Sequence, residues 1–239
     1  MGTRFRLSSN VVVLALSAAF MLTYIYRFDI ALAISREDGV IEWATTLLYL
    51  IATVVFLVAA RRFGFRNVWL LGLGLMCFFV AGEEISWGQR VIGVDTPEAI
   101  GSRNVQDELN LHNIEGVHQN IRMVGAGIVS LLFFVIPITD AVMPSLRRLY
   151  TRWRVPIFPA WFILTPLIAL LFMVVPRLGG GLVFELDEFG EILLSLAFLV
   201  YALTAAATAP TRRSSAASTV GADGAQPPVA STRVRPSSR

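Results

Sequence analysis

Six long apolar stretches alternate with short polar connections along the chain, at approximately Asn10 to Tyr26, Val40 to Ala60, Val68 to Trp87, Ile121 to Val142, Ile157 to Val175 and Glu188 to Ala207. A helix needs roughly 20 mostly apolar residues to cross the hydrocarbon core, because only then are its backbone polar groups satisfied internally. The pattern predicts an all-α fold, a polytopic membrane helix bundle of about six transmembrane helices, with an amphipathic extracytoplasmic segment between the third and fourth. The fifth stretch is the shortest. From Pro210 the pattern disappears into Ser, Ala, Pro, Gly and Arg, which cannot bury enough surface to fold. Residues 1–209 are therefore expected to form the helix bundle and residues 210–239 a disordered cytoplasmic tail.

Composition agrees: 55% of the 239 residues are hydrophobic and the mean hydropathy is +0.65. Cys77 is the single cysteine and sits inside an apolar run, which excludes an internal disulfide framework and a Cys-rich metal centre. All twenty basic residues are Arg. They fall in small groups between hydrophobic stretches rather than on one basic face, so no nucleic-acid partner is expected. Alternate connections hold most of them: Arg4 and Arg6; Arg61, Arg62 and Arg66; Arg147, Arg148, Arg152 and Arg154; Arg212 and Arg213. With Arg233, Arg235 and Arg239, fourteen of twenty share one side, and cytoplasmic loops are the Arg-rich ones. Both termini are expected in the cytoplasm, with the chain in the plasma (inner) membrane. Of seventeen acids, only Asp140 and Asp223 fall near that side. A cleaved signal peptide ending near Ala31-Leu32-Ala33 is the alternative for the first stretch; it would leave five crossings with the same sidedness.

Three acid-bearing segments reach the opposite membrane level: Arg36-Glu37-Asp38-Gly39-Val40-Ile41-Glu42-Trp43, Gly82-Glu83-Glu84-Ile85-Ser86-Trp87-Gly88-Gln89-Arg90, and Phe184-Glu185-Leu186-Asp187-Glu188-Phe189-Gly190-Glu191. Glu83 and Glu84 continue an apolar helix that has not used up its spanning length. A charged carboxylate within a span costs roughly 2.5–3.5 kcal/mol, so such groups face a bundle interior or an aqueous cavity. On a continuous helix Glu83, Trp87 and Arg90 share one face, and Glu84 lies on another with Cys77, Val80 and Gly88. Glu83 pairing with Arg90, and Glu84 bonding a neighbouring helix, is the purely structural reading. Acids that open helices, such as Glu37, Asp38, Glu185 and Asp187, are explained equally well by the positive helix end. Glu42, Glu188 and Glu191 lie deeper and point to a shared site.

The connection from Gln89 to Asn120 is too long for a bare loop. Thr96-Pro97-Glu98 reads as a helix start, with a hydroxyl cap, Pro in the first turn and an acid at the positive end. The run that follows, with Asn104, Gln106, Glu108, Asn110, His112 and Asn113, is dense in amides and acids and fits an amphipathic helix on the membrane surface. Both histidines lie here, His112 and His118, with Glu115 between them. Two His four apart share one helical turn, whereas six apart places them about 240° round, so one unbroken helix cannot use both as a zincin pair. A bend at Gly116, with Glu84, Glu42 or Glu188 supplying carboxylates, would make a His and carboxylate site for a divalent metal ion such as zinc. Each His capping a helix or bonding an interfacial partner is the plainer alternative.

The run Gly82-Glu83-Glu84-Ile85-Ser86-Trp87-Gly88-Gln89-Arg90, followed by Asn104-x-Gln106-x-Glu108-x-Asn110-Leu111-His112-Asn113, resembles a family of bacterial multi-pass membrane proteins. The likeness covers the second to fourth stretches and implies no activity. A more distant likeness is to the alkaline ceramidase-like intramembrane hydrolases, which gather polar residues around zinc at one membrane face. Their paired His in the last helices has no counterpart here, since Glu188 to Ala207 contains no His, and that zinc site is not carried over.

The leading expectation is an enzyme, hydrolase or transferase, acting on a lipid or lipid-linked substrate at the outer leaflet. Glu84 would be general base or metal ligand, with Glu83 beside it. His112, His118 and Glu188 would be further ligands or proton carriers, and Arg90 would bind an anionic headgroup. Gln89, Asn104, Glu108, Asn110, Glu42 and Glu191 would complete the polar surround. A non-catalytic envelope scaffold is the first alternative. A proton- or cation-coupled transporter is the second, disfavoured because the inner halves of the spans carry almost no ionisable groups except Asp140.

Overall fold

The computed structural model describes residues 3–36, 39–101, 104, 109–111, 114, 118–178 and 186–208. Its helices are α1 (Thr3–Tyr26), α2 (Phe28–Ser35), α3 (Val40–Arg62), α4 (Val68–Glu84), α5 (Gln89–Ile92), α6 (Glu98–Gly101), α7 (His118–Ser130), α8 (Ile136–Val142), α9 (Pro144–Trp153), α10 (Leu164–Leu178) and α11 (Leu186–Thr208). Among the described residues the only β feature is an isolated antiparallel bridge between Asn104 and Ile114. The proposed tail, residues 210–239, lies outside the described residues.

Four helical runs are long and apolar enough to cross a membrane: Phe5–Tyr26, Val40–Arg62, Met123–Val142 and Leu186–Thr208. Four such helices are compatible with a multi-pass membrane protein. Helix α4, at 17 residues, and α10, at 15, are shorter.

Helices α3 and α11 form the centre, packed along their lengths, with α4 against the far side of α3 and α10 against α11. Lipid tails are as apolar as Leu, so close packing rather than escape from water must hold such helices together. Gly190 permits it at the α10–α11 contact: a Cβ there would lie 2.6 Å from Met173 Cγ and 2.8 Å from the Ala169 carbonyl oxygen. Helix α1 buries only the stripe Val13, Ser17 and Phe20, with Phe20 stacked on Phe189 at 4.1 Å. Most other α1 side chains are exposed, as lipid-facing positions should be.

Between α7 and α8 the backbone winds as a π-helix over Leu131–Val135, immediately before Pro137. Pro lacks an N–H and its ring crowds the preceding turn, and the wider turn accommodates both. The turn sets Phe133 against Phe158, Phe198 and Tyr201, with centroids at 4.6, 4.8 and 6.0 Å.

The fifth stretch corrects the sequence reading. Helix was expected from Ile157, but the chain is non-helical from Val155 to Pro159, makes one 3-10 turn at Ala160–Phe162, and enters α10 only at Leu164. Pro156 and Pro159 explain this, since each bars its preceding residue from helical backbone. The apolar side chains are still buried: Phe158 and Phe162 are 1% and 2% exposed, which is why hydropathy read them as span.

Polar links tie this end of the bundle together. The Asn67 side chain caps α4 by accepting from the N–H groups of Trp69 and Leu70 at 3.1 and 3.3 Å, and donates to the Arg154 carbonyl at 3.0 Å. Arg62 donates to the Ala206 carbonyl at 3.1 Å, Asn10 to the Trp161 carbonyl at 2.7 Å, and Tyr201 to the Pro156 carbonyl.

Candidate functional site

At the other end of α4 the sequence Gly82-Glu83-Glu84-Ile85-Ser86-Trp87-Gly88-Gln89 makes two separate structures. The helix was expected to continue to Trp87. It stops at Glu84, and Ser86, Trp87 and Gly88 take positive φ values of 46°, 55° and 77°. The common helical face expected for Glu83, Trp87 and Arg90 is therefore absent. Trp87 instead folds back over Gly82, where a Cβ would lie 2.8 Å from the indole Cε3. In that position its indole N–H donates to Glu83 Oε1 at 2.8 Å.

The turn clasps the following connection. Glu83 Oε2 accepts the backbone N–H of Leu111 at 2.7 Å, and Asn110 Nδ2 donates to Ser86 Oγ at 3.1 Å. Asn104 Nδ2 donates to the carbonyl of Asn110 at 3.0 Å and to its Oδ1 at 2.9 Å. Gln89 accepts from the Leu109 N–H and donates to Thr96 Oγ1. Glu83, Ser86, Asn104 and Asn110 are all buried. Thus Glu83, Gln89, Asn104 and Asn110 are brought together, and their bonds are those of a loop anchor. The helix start at Thr96-Pro97-Glu98 is present as α6, whereas residues 104, 109–111 and 114 are non-helical, against the surface helix expected there. An open cleft of about 350 Å³ lies beside the clasp, lined by Phe79, Glu83, Trp87, Leu109, Asn110 and Leu111.

Glu84, one residue on, faces the bundle. Helices α3 and α11 both begin at this end, with Glu42 in the first turn of one and Asp187 and Glu188 in that of the other. The charges acting on the Glu84 carboxylate are Glu191 first, then Glu188, Glu42 and Glu83. Glu42, Glu84, Glu188 and Glu191, from three helices, therefore share one region, as the sequence suggested.

Below the acids, α3 presents a polar face that sequence reasoning missed. Glu42, Thr45, Thr46 and Tyr49 follow the i, i+3, i+4, i+7 spacing of one helix face. Tyr49 is 3% exposed and lies within electrostatic range of Glu84 and Glu191, with Cys77 also near. Thr45 and Thr46 are 1% and 2% exposed, and neither hydroxyl has a hydrogen-bond partner among the described residues. Ser17, Thr53 and Thr204 bond back to the carbonyl four residues earlier at 2.8, 2.9 and 2.8 Å, whereas Ser35 and Thr165 are, like Thr45 and Thr46, buried without a partner among the described residues. The signal was available: two adjacent Thr one turn after an acid inside an apolar stretch.

His112, Glu108, Gln106 and Asn113 lie outside the described residues, as do the side chains of His118, which opens α7, and of Arg90 in α5. Among the described residues no three His, Cys, Asp or Glu side chains form a ready metal-ligand set. Compared with known proteins, the chain matched no family model, no curated protein and no solved structure.

Proposed function

We propose that the protein is a membrane enzyme whose acidic centre, built on Glu84 with Glu42, Glu188 and Glu191, acts on a lipid or lipid-linked substrate at the outer leaflet. What supports this reading is one observation: the Glu84 carboxylate stands among acids from two other helices, above two buried hydroxyls with no partner. Carboxylates gathered in a low-dielectric region cannot all be ionised without a proton or cation among them. A group in that state is suited to general acid–base work or to holding a divalent ion that polarises a substrate oxygen.

In this reading Glu84 is the base or ligand and Glu42, Glu188 and Glu191 share its charge. His112 and His118, on the connection that the clasp anchors, supply imidazoles, and Arg90 meets an anionic headgroup. Glu83 is a positioning residue, since its two oxygens hold Trp87 and Leu111. The chain crosses the membrane six times with both termini in the cytoplasm, α4 and α10 being the two short crossings. The charge asymmetry and the likeness to bacterial multi-pass proteins support placement in a bacterial plasma membrane.

The test uses the purified full chain in nanodiscs. Metal content after equilibration with zinc and with manganese is measured, alongside turnover of labelled phospholipid and polyprenyl-phosphate substrates, for wild type and Glu84→Gln. Turnover or stoichiometric metal that Glu84→Gln abolishes supports the enzyme. A wild type that holds no metal and turns over no substrate leaves the non-catalytic scaffold as the reading. A C-terminal reporter fusion, active only in the cytoplasm, checks the sidedness.

A further inference from the structure

We infer that α9 and the cleft behind it form a binding site for one anionic phospholipid, at the end of the bundle opposite the acidic centre. Helix α9, Pro144–Trp153, has no acidic residue and none of its residues is buried. Leu146, Leu149, Tyr150 and Trp153 follow the i, i+3, i+4, i+7 spacing of a single face. Leu149 and Trp153 remain 46% and 61% exposed, which water would not favour but lipid would.

Behind that face lies a cleft of about 300 Å³ lined by Trp69, Ile136, Leu149, Tyr150, Trp153 and Val155. These residues come from α4, α8, α9 and the extended chain after it. Apart from the indole N–H groups of Trp69 and Trp153, the only polar side-chain group in the lining is the Tyr150 hydroxyl, which is already engaged by Thr139 at 2.9 Å. The cleft is thus dominated by aromatic and aliphatic surface, and it suits hydrocarbon.

Charge at its rim selects the headgroup. Arg147 is committed to the end of α8: it donates to the carbonyls of Asp140 and Ala141 at 2.9 and 3.2 Å, with its Nε 3.8 Å from Asp140 Oδ2. Arg148 and Arg152, one turn apart, make no hydrogen bond or ion pair among the described residues and are exposed. At 100° per residue they lie about 100° and 60° round from Leu149 on the same side, Arg152 flanking the apolar face and Arg148 on the polar face beyond it. Two uncommitted guanidiniums one helical turn apart match a phosphodiester, whose oxygens accept the paired donors of an arginine fork. An amphipathic helix of this kind lies in the interface plane, with its apolar face sunk to the acyl boundary. The acyl chain would enter the cleft past Trp153 and the phosphate would rest on Arg148 and Arg152.

Native mass spectrometry of the full chain, released from detergent with added phosphatidylglycerol or phosphatidylcholine of identical acyl chains, tests the site. One phosphatidylglycerol should be retained about tenfold better than phosphatidylcholine, a difference of about 1.4 kcal/mol. Arg148→Gln with Arg152→Gln should erase that preference, while the double Lys variant keeps most of it. Trp153→Ala should weaken retention of both lipids. Inorganic phosphate at millimolar concentration should not displace the bound lipid. Equal retention of the two lipids by wild type, an undiminished preference in the Gln variant, or displacement by phosphate would each overturn the proposal. Because the readout is lipid retention, its outcome is separate from that of the Glu84 experiments.

Discussion

One oxygen of the Glu83 carboxylate accepts the backbone N–H of Leu111 at 2.7 Å, across 28 residues of sequence. The bond converts an acid in a helix end into the anchor of a long connection. A fully buried N–H left without an acceptor costs about 1–3 kcal/mol, and the partly buried one of Leu111 costs less. Glu83→Leu should therefore loosen the segment from Asn104 to Ile114 before it unfolds the bundle. Hydrogen exchange at Leu111 should rise by one to two orders of magnitude while exchange in α3 and α11 stays unchanged. Glu83→Gln, which keeps one carbonyl acceptor, should fall between.

Gly82→Ala tests the fold-back of the indole. The added methyl would sit 2.8 Å from Trp87 Cε3 and force the ring away. Overpacking of this kind costs about 1–3 kcal/mol. The expected signature is a shift in Trp87 fluorescence, checked against a Trp87→Phe control, together with faster cleavage of the 89–117 connection by protease.

Thr45→Val and Thr46→Val remove two hydroxyls that have no hydrogen-bond partner among the described residues. An unpaired buried hydroxyl costs about 1–3 kcal/mol, so each change should leave thermal stability unchanged or raise it. If these hydroxyls serve the acidic centre, the same variants should lower metal uptake or turnover at least fivefold. Stability gained with function untouched would assign the pair to packing alone.

Glu84→Gln removes one ionisable carboxyl from a group of four that cannot all carry charge together. In metal-free buffer at neutral pH the variant should melt about 2–4 °C higher than wild type, the shift that ~1 kcal/mol gives a chain of this size. A lower melting temperature would mean that the carboxylate is needed to hold the helices together.

At the junction of α1 and α2, Arg27 donates to both oxygens of Asp29 at 3.3 and 3.2 Å. The side-chain hydrogen bond from Arg27 lowers the Asp29 pKa below its ordinary value. A carboxyl lowered on folding stabilises above its unfolded pKa, and the contribution fades as pH falls through the folded value. The pair is fully exposed and screened, so Asp29→Asn should not measurably alter melting at pH 7. The Asp29 carboxyl carbon should nevertheless titrate by NMR below a free aspartate.

The spans were legible because hydropathy is a property of composition, and Phe5–Tyr26, Val40–Arg62, Met123–Val142 and Leu186–Thr208 follow it closely. Hydropathy does not distinguish an apolar helix from an apolar extended run, which is why residues 157–162 read as helix in the sequence. Pro156 and Pro159 carried the correction. The end of α4 was not legible, because the left-handed turn falls on Ser86 and Trp87, residues with no preference for it, and only the later contact with Leu111 and Asn110 accounts for it. The gathering of Glu42, Glu84, Glu188 and Glu191 was legible from topology alone: two helices begin where a third ends. Helix α9 was hidden because its four-residue apolar face is too short for a span and its arginines read as a connection.

The shortness of α10 has a consequence for the membrane around it. Fifteen residues at 1.5 Å rise give about 22 Å, against a hydrocarbon core of about 30 Å. In the proposed six-crossing topology the bilayer beside this helix would thin, or the apolar run 155–163 would make up the length, and the mismatch would cost a fraction of a kcal/mol per Å. Bilayer thickness would thereby become an input to the fold. It would press on α10 and be passed at Gly190 to α11, one residue from Glu191 and two from Glu188.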